Sequence, residues 1–322
     1  MYIDVYIHIF PKNIYSKRNC LILEVIKIKR KVVLHGPSTL TISLPMSWVK
    51  KFNIKKGEEL NLEEFGNELK INTEKEVDLE KKQIDIKNFK RLGKTYLTSS
   101  YRQGYNEIDL NYTNSDYIKT IQDILSRDIT GFEIIKQSSN SCVIKDLTGH
   151  NKDEFDNVFR RIWLLILDLS EESLNALKKR DVVALREMYL MDYSINKFSN
   201  YCLRLLIKKG HADFKKTPLY YHLIKALEEI ADHYKDLCTF YSKDIKKIDD
   251  DLIIILSRIN EHLNEFYQLF YKHDEEKIED LFRKIKLTHN KISNSKNNMV
   301  YSLFSICENI KTLLPVLVEI NL

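Results

Sequence analysis

Cysteine is sparse and scattered. Its five positions, 20, 142, 202, 238 and 307, are never closer than 36 residues. No CxxC metal pair or thioredoxin-like motif is therefore possible, and reduced thiols in a cytosolic compartment are the simplest expectation. Long apolar runs are missing too: the longest, Ile162 to Leu167 and Leu252 to Leu256, fall far short of the ~20 residues of a spanning helix, so a soluble chain without membrane insertion is expected. No phosphate loop, GxSxG, HExxH or closely spaced Cys-His pair occurs, and no enzyme is expected. Glycine and proline are lopsided. Residues 151 to 322 hold only Gly210, Pro218 and Pro315, which predicts that the second half is nearly all helix.

Acidic residues are absent from one long stretch. The whole chain has 51 Lys plus Arg against 46 Asp plus Glu, a net +5 too small to announce a nucleic-acid partner. Yet from Val25 to Lys56 there are eight basic residues, Lys27, Lys29, Arg30, Lys31, Lys50, Lys51, Lys55 and Lys56, and no Asp or Glu. Strand alternation over Val25 to Leu34 puts Lys27, Lys29 and Lys31 on one face, where a phosphate backbone could lie. A solvated strand edge protected by lysines would look the same.

At 322 residues and 43% hydrophobic content the chain can bury a core and form about two domains. The opening Met1 to Phe10 is apolar and β-prone but contains Asp4 and His8 and has no basic start, so it is no signal peptide. It is either an extra strand or an extension ahead of a domain starting near Glu24. Strands are then expected over Val25 to Leu34, Leu40 to Leu44, Glu59 to Glu63 and Glu68 to Asn72, with a short helix from Pro45 to Phe52 and a turn at Lys55-Lys56-Gly57-Glu58. Residues 86 to 147 read as helix, strand, helix, strand, strand. Apolar spacing of three or four then predicts six helices, over about 152 to 178, 182 to 208, 219 to 241, 249 to 271, 275 to 293 and 297 to 320. Lys179-Arg180-Asp181 echoes Lys272-His273-Asp274, each opening the second helix of a set of three.

Glu228 and Asp232 are four apart, so their carboxylates share a helix face and could share a hard cation. That face lies roughly 150° from the Leu223, Leu227, Ile230 and Tyr234 stripe, which predicts a surface site, or simply a solvated acidic face. Asp192 and Asn196 repeat the spacing on the preceding helix. His233 points away from this pair, toward the surface or a neighbouring helix.

Two family resemblances rest on these segments. Arg30-Lys31-Val32-Val33, Gly36 through Pro45, Trp48-Val49-Lys50-Lys51 and Lys55 through Leu60 closely resemble the SpoVT/AbrB domain. The resemblance implies a swapped-hairpin β-barrel formed by a homodimer that binds DNA, with Lys29, Arg30, Lys31, Ser38 and Thr39 facing it and Lys27 extending the patch. Lys179-Arg180-Asp181, Asp192 through Asn196 and above all Leu227 through His233 resemble the PhoU phosphate-uptake regulators. That implies two three-helix repeats and a multinuclear iron or zinc cluster, held here by Asp192, Asn196, Glu228 and Asp232. The second repeat offers Phe304 and Glu308, with Ile285 and His289 or Lys286 and Asn290, and is not expected to keep metal.

The expected fold is thus α+β and multidomain: an extension (1–24), a SpoVT/AbrB-like domain (25–73), an α/β connector (74–150), a PhoU-like repeat (151–244) and a degenerate second repeat (245–322). The combination resembles an archaeal regulator architecture and implies a cytoplasmic DNA-binding regulator of phosphate uptake. The alternative is a PhoU-type adaptor for a phosphate transporter or sensor kinase whose β domain only dimerises.

Overall fold

The computed structural model describes residues 2–5, 28–65, 68–73, 81–87, 93–148, 154–295 and 299–322. Lys27, Cys20, most of the leader and the hairpin tip at Gly66 and Asn67 lie outside the described residues. The chain forms two compact units, Met1–Leu79 and Glu80–Leu322.

In the first unit β1 (Tyr2–Val5) pairs antiparallel with β2 (Ile28–Lys31). The start of the leader is therefore an extra strand, one of the two options open from sequence. The single strand expected over Val25 to Leu34 is divided at Val32, because β2 pairs with β1 while β3 (Val33–His35) pairs with β4 (Thr39–Thr41). Gly36, at φ +71°, supplies the left-handed residue that this hairpin's turn needs. Pro45 heads α1 (Met46–Lys51), where its fixed φ suits a helix start. The next turn closes with Glu58 N–H donating to Lys55 O at 3.2 Å. Strands β5 (Asn61–Phe65) and β6 (Glu68–Asn72) complete the unit as an antiparallel pair. Its core is thin: Trp48 is the one buried hydrophobic among the described residues, ringed by partly buried Ile42, Leu44, Val49, Phe52, Ile54, Leu60 and Ile71.

The second unit opens with a segment of four strands and two helices. In chain order these are β7 (Lys81–Asp85), α2 (Gly93–Arg102), β8 (Glu107–Asn111), α3 (Asp116–Asp128), β9 (Phe132–Gln137) and β10 (Ser141–Asp146). The sheet order is β7-β8-β10-β9, with β7 parallel to β8 and the other pairs antiparallel. Alternation buries Ile84, Ile108, Leu110, Cys142 and Ile144 beneath Leu97, Tyr101, Ile118, Ile121 and Leu125 of the two helices. Strand β7 escaped the sequence reading because Lys81-Lys82-Gln83-Ile84-Asp85 carries a single apolar residue.

Six long helices follow: α4 (Phe155–Lys179), α5 (Val182–Lys209), α6 (Thr217–Lys243), α7 (Asp250–Tyr271), α8 (Glu275–Ser293) and α9 (Val300–Asn321). Three of them, α5, α7 and α8, start on a capping aspartate. Asp181 accepts from Val183 N and Ala184 N at 3.0 and 3.1 Å, and Asp274 from Lys277 N at 3.1 Å, so both aspartates of the sequence echo are N-caps. The apolar faces merge into one core running from Phe159 to Ile320. Cys142, Cys202, Cys238 and Cys307 are free and buried.

Among the described residues a guanidinium lies wholly inside this unit. Arg204 of α5 is 0% exposed. It donates through Nη1 to Tyr101 O (2.6 Å) and Tyr105 O (2.9 Å), and through Nη2 to Asn106 Oδ1 (2.7 Å) and Asp146 Oδ2 (3.0 Å). The Tyr101 and Phe132 rings lie 4.8 and 5.0 Å from the guanidinium carbon, adding cation–π attraction in a desolvated setting. Replacing it by Met takes the guanidinium away from the Asp146 carboxylate and from Tyr105 O, while Asn106 Oδ1 and Tyr101 O keep Lys208 Nζ (2.8 Å) and Gly104 N–H (3.0 Å) as donors. Arg204→Met should therefore lower unfolding free energy by about 3–5 kcal/mol, read from urea melts; an unchanged midpoint would refute the assignment.

His262 of α7 is a second buried polar group. Thr288 Oγ1 already donates to Lys284 O (3.2 Å), so the 2.9 Å contact assigns the donor role to His262 Nε2–H. Burial, with the charges of Lys284, Arg258 and His289 adding to it, pushes its pKa from 6.5 down to about 4. The unfolded chain takes up a proton below about 6.5 that the folded protein refuses until about 4, so stability falls as pH drops through that window. His262→Gln, which keeps a donor but cannot titrate, should lose about 2–3 kcal/mol less than the parent between pH 7 and pH 4 in parallel urea melts.

Candidate functional site

Two surfaces carry the residues singled out from sequence. In the first unit, Lys29 and Lys31 on β2 are exposed and Arg30 between them is half-buried, as the alternation requires. Lys50 and Lys51 end α1, where cations complement the helix dipole, and Lys55 and Lys56 enter the following turn; all four are exposed. Ser38 and Thr39 are exposed at the tip of the β3–β4 hairpin. The three residues of β3 carry that tip about 10 Å along the chain from the basic strand.

The second surface is a cleft of about 340 Å³ bordered by α2, the end of α3, α5 and α6. The structure brings Asp192, Asn196, Glu228 and Asp232 together along it. The surface position expected for the α6 pair is not shared by Asp192 on α5. Asp192 is 1% exposed, because α2 and α3 pack on α5 and cover a face that a bare three-helix set would leave open. Glu228 is mostly covered and Asp232 about half exposed.

Each carboxylate here has a cation beside it. Lys235, one turn beyond Asp232 on α6, bonds to Asp232 and lies 3.1 Å from Asp192 Oδ2. Lys225, one turn before Glu228, bonds to Glu228. Lys94 of α2 meets Asp128 at 2.8 Å. Asn196 uses its amide group, donating from Nδ2 to Asp192 Oδ2 at 3.1 Å. Asp192 Oδ1 is buried without a hydrogen-bond partner. Burial outweighs the nearby Lys235 charge and raises the Asp192 carboxyl to about 6. Arg102 and Asn200 complete the wall: Arg102 Nη1 donates to Asn200 Oδ1 at 3.3 Å, and Asn200 Nδ2 to Asp128 O at 2.9 Å.

The iron or zinc cluster that the PhoU resemblance implies needs several unpaired donors converging on one point. Among the described residues no group of three or more His, Cys, Asp or Glu side chains gathers closely enough to hold a metal ion. With an ammonium standing between Asp192 and Asp232, these donors as arranged do not fit such a cluster. At the corresponding place on the last two helices, His289 stacks on Phe304 with ring centroids 4.6 Å apart and lies 3.3 Å from Glu308. Lys311 also holds Glu308, at 2.9 and 3.0 Å. His233 packs edge-on against Tyr301 of α9, the interhelical position anticipated for it.

Sequence reasoning missed Lys235, Lys225, Lys94, Arg102 and Asp128. The two α6 lysines were visible as i,i+3 neighbours of the acids. The other three come from segments far away in the chain and left no local signal.

Residues 35–80 match the family model of antidote-toxin recognition MazE, bacterial antitoxin. Residues 159–240 match the PhoU domain model. No curated protein and no solved structure matches the chain. The first match includes Ser38 and Thr39 but begins after Lys29, Arg30 and Lys31. The second spans all four cleft residues predicted from sequence and stops short of α7 to α9.

Proposed function

We propose that this chain, a MazE/AbrB-like domain followed by a PhoU domain, is a homodimeric DNA-binding regulator of phosphate homeostasis. The observation that carries the reading is a run of exposed basic residues followed in the chain by a PhoU domain. Lys29, Lys31, Lys50, Lys51, Lys55 and Lys56 are all exposed, in a stretch without one acidic residue. Such a surface favours polyanions through counterion release, whatever the base sequence. In this reading the helical half senses phosphate status, through contacts with phosphate-transporter or sensor components. Among the described residues no helix is long and apolar enough to cross a membrane.

Dimerisation is supported by what the first unit leaves uncovered. Val33, Leu34, Leu40, Met46 and Leu62 are each more than half exposed, and the hairpins β3–β4 and β5–β6 stay separate two-stranded sheets. A two-stranded sheet is marginal alone. A second copy interleaving its hairpins would close the barrel and cover those side chains. The six α helices would then form two three-helix repeats per chain, a reading supported by the matched aspartate N-caps.

Two outcomes are expected. Lys29→Ala, Arg30→Ala and Lys31→Ala together should weaken DNA binding for every sequence tested and flatten the plot of log affinity against log salt by about 0.9 per lost phosphate contact. Absence of any salt-dependent DNA binding by the parent protein would favour the adaptor reading instead. In sedimentation velocity the full chain should run as a dimer, and Leu34→Asp with Leu40→Asp should shift it to monomer. A monomeric parent would remove the barrel.

A further inference from the structure

We propose that Lys235 is the resident cation of the α5–α6 carboxylate cluster, so that the site in this chain is built to work without metal. Position, charge pairing and geometry all bear on this.

The position is intrahelical. Lys225 and Lys235 flank the acidic pair on α6 itself, each one turn from its partner. Both cations are therefore delivered by the same helix that delivers the acids, and neither has to be recruited from solvent. The Lys235 side chain is only 25% exposed and reaches across to α5, where Asp192 is buried. One ammonium thus ties together the two helices that a bridging metal would have tied.

The acids are each met by a cation: Lys94 faces Asp128, Lys235 faces both Asp192 and Asp232, and Lys225 faces Glu228. A divalent ion entering this paired set would face the Lys235 ammonium at contact range. Repulsion between a dication and an ammonium at about 4 Å costs several kcal/mol even at protein-surface dielectric values, equivalent to at least about a hundredfold in affinity.

The geometry shows what the lysine displaces. Asp192 Oδ1 is a buried acceptor with no partner, and Asp232 lies on the other side of the ammonium. With Lys235 replaced by Met, Asp192 and Asp232 lose the ammonium between them and can draw in around a cation, and oxygen donors of this kind suit Mn²⁺, while Glu228 stays paired with Lys225.

The experiment measures Mn²⁺ binding by isothermal titration and by the loss of the free-ion electron paramagnetic resonance signal, with the full chain and Lys235→Met. Elemental analysis of the parent purified with iron, zinc and manganese present accompanies it. The parent is expected to carry no stoichiometric metal and to bind Mn²⁺ at least about a hundredfold more weakly than Lys235→Met. Thermal melts keep the test decisive if the variant is destabilised. Mn²⁺ should raise the midpoint of Lys235→Met and leave that of the parent unmoved, and adding Asp232→Asn to Lys235→Met should abolish the rise. Stoichiometric iron, zinc or manganese in the parent would overturn the proposal. So would equal Mn²⁺ affinity in both proteins, or no Mn²⁺ response in a Lys235→Met protein whose circular dichroism is native. The DNA-binding reading is untouched by any of these results, since it rests on the first unit alone.

Discussion

A guanidinium stripped of solvent constrains the larger unit more than any other single group. Burying Arg204 is tolerable because both of its terminal nitrogens meet acceptors: a carbonyl at the end of α2, a carbonyl and an asparagine in the loop beyond, and the carboxylate at the end of β10. Those partners come from three places in the α/β segment, whereas the arginine comes from near the C-terminal end of a bundle helix. Satisfying it therefore fixes where α2 lies on α5. The cleft inherits that placement, because Lys94, Thr98 and Arg102 are on α2 and Asp192, Asn196 and Asn200 are on α5. A wall of the site is held by a group that does not itself line it.

The cleft shows how the same residue types can serve different chemistry. Acids four apart on facing helices are a fair donor set for a cation, and nothing in their spacing says which cation. What decides is the identity of residues one turn away. Ordinary i,i+3 helix pairs on an exposed surface contribute little. Here one of them extends to a carboxylate that has lost its water, and the local field is set by that contact.

The bundle was the most legible part of the chain. Its apolar stripes have the helical period, three of its helices (α5, α7 and α8) open on capping aspartates, and the ends of all six helices fall within a few residues of expectation. The turn at Gly57 and the proline-led helix α1 were equally plain. Three things were hidden, for one physical reason. Strand β7 is charged because only Ile84 of its five residues is buried. Arg204 looks from sequence like any arginine on a long helix, although the chain folds over it. Asp192 reads as exposed until α2 and α3 are laid against α5. In each case the burial comes from a segment remote in sequence, and periodicity reports only on the helix or strand that carries it.

The buried thiols carry a further consequence. Desolvation raises Cys142 to about 11 and Cys238 and Cys307 to about 12, and Cys202 is also pushed strongly upward. Thiolate is the reactive form toward peroxide, disulfides and alkylating reagents. At neutral pH burial keeps these four sulfurs protonated and shielded, which slows their reaction. For a protein whose core closes around them, thiol-directed reagents should reach these four cysteines only as the fold opens.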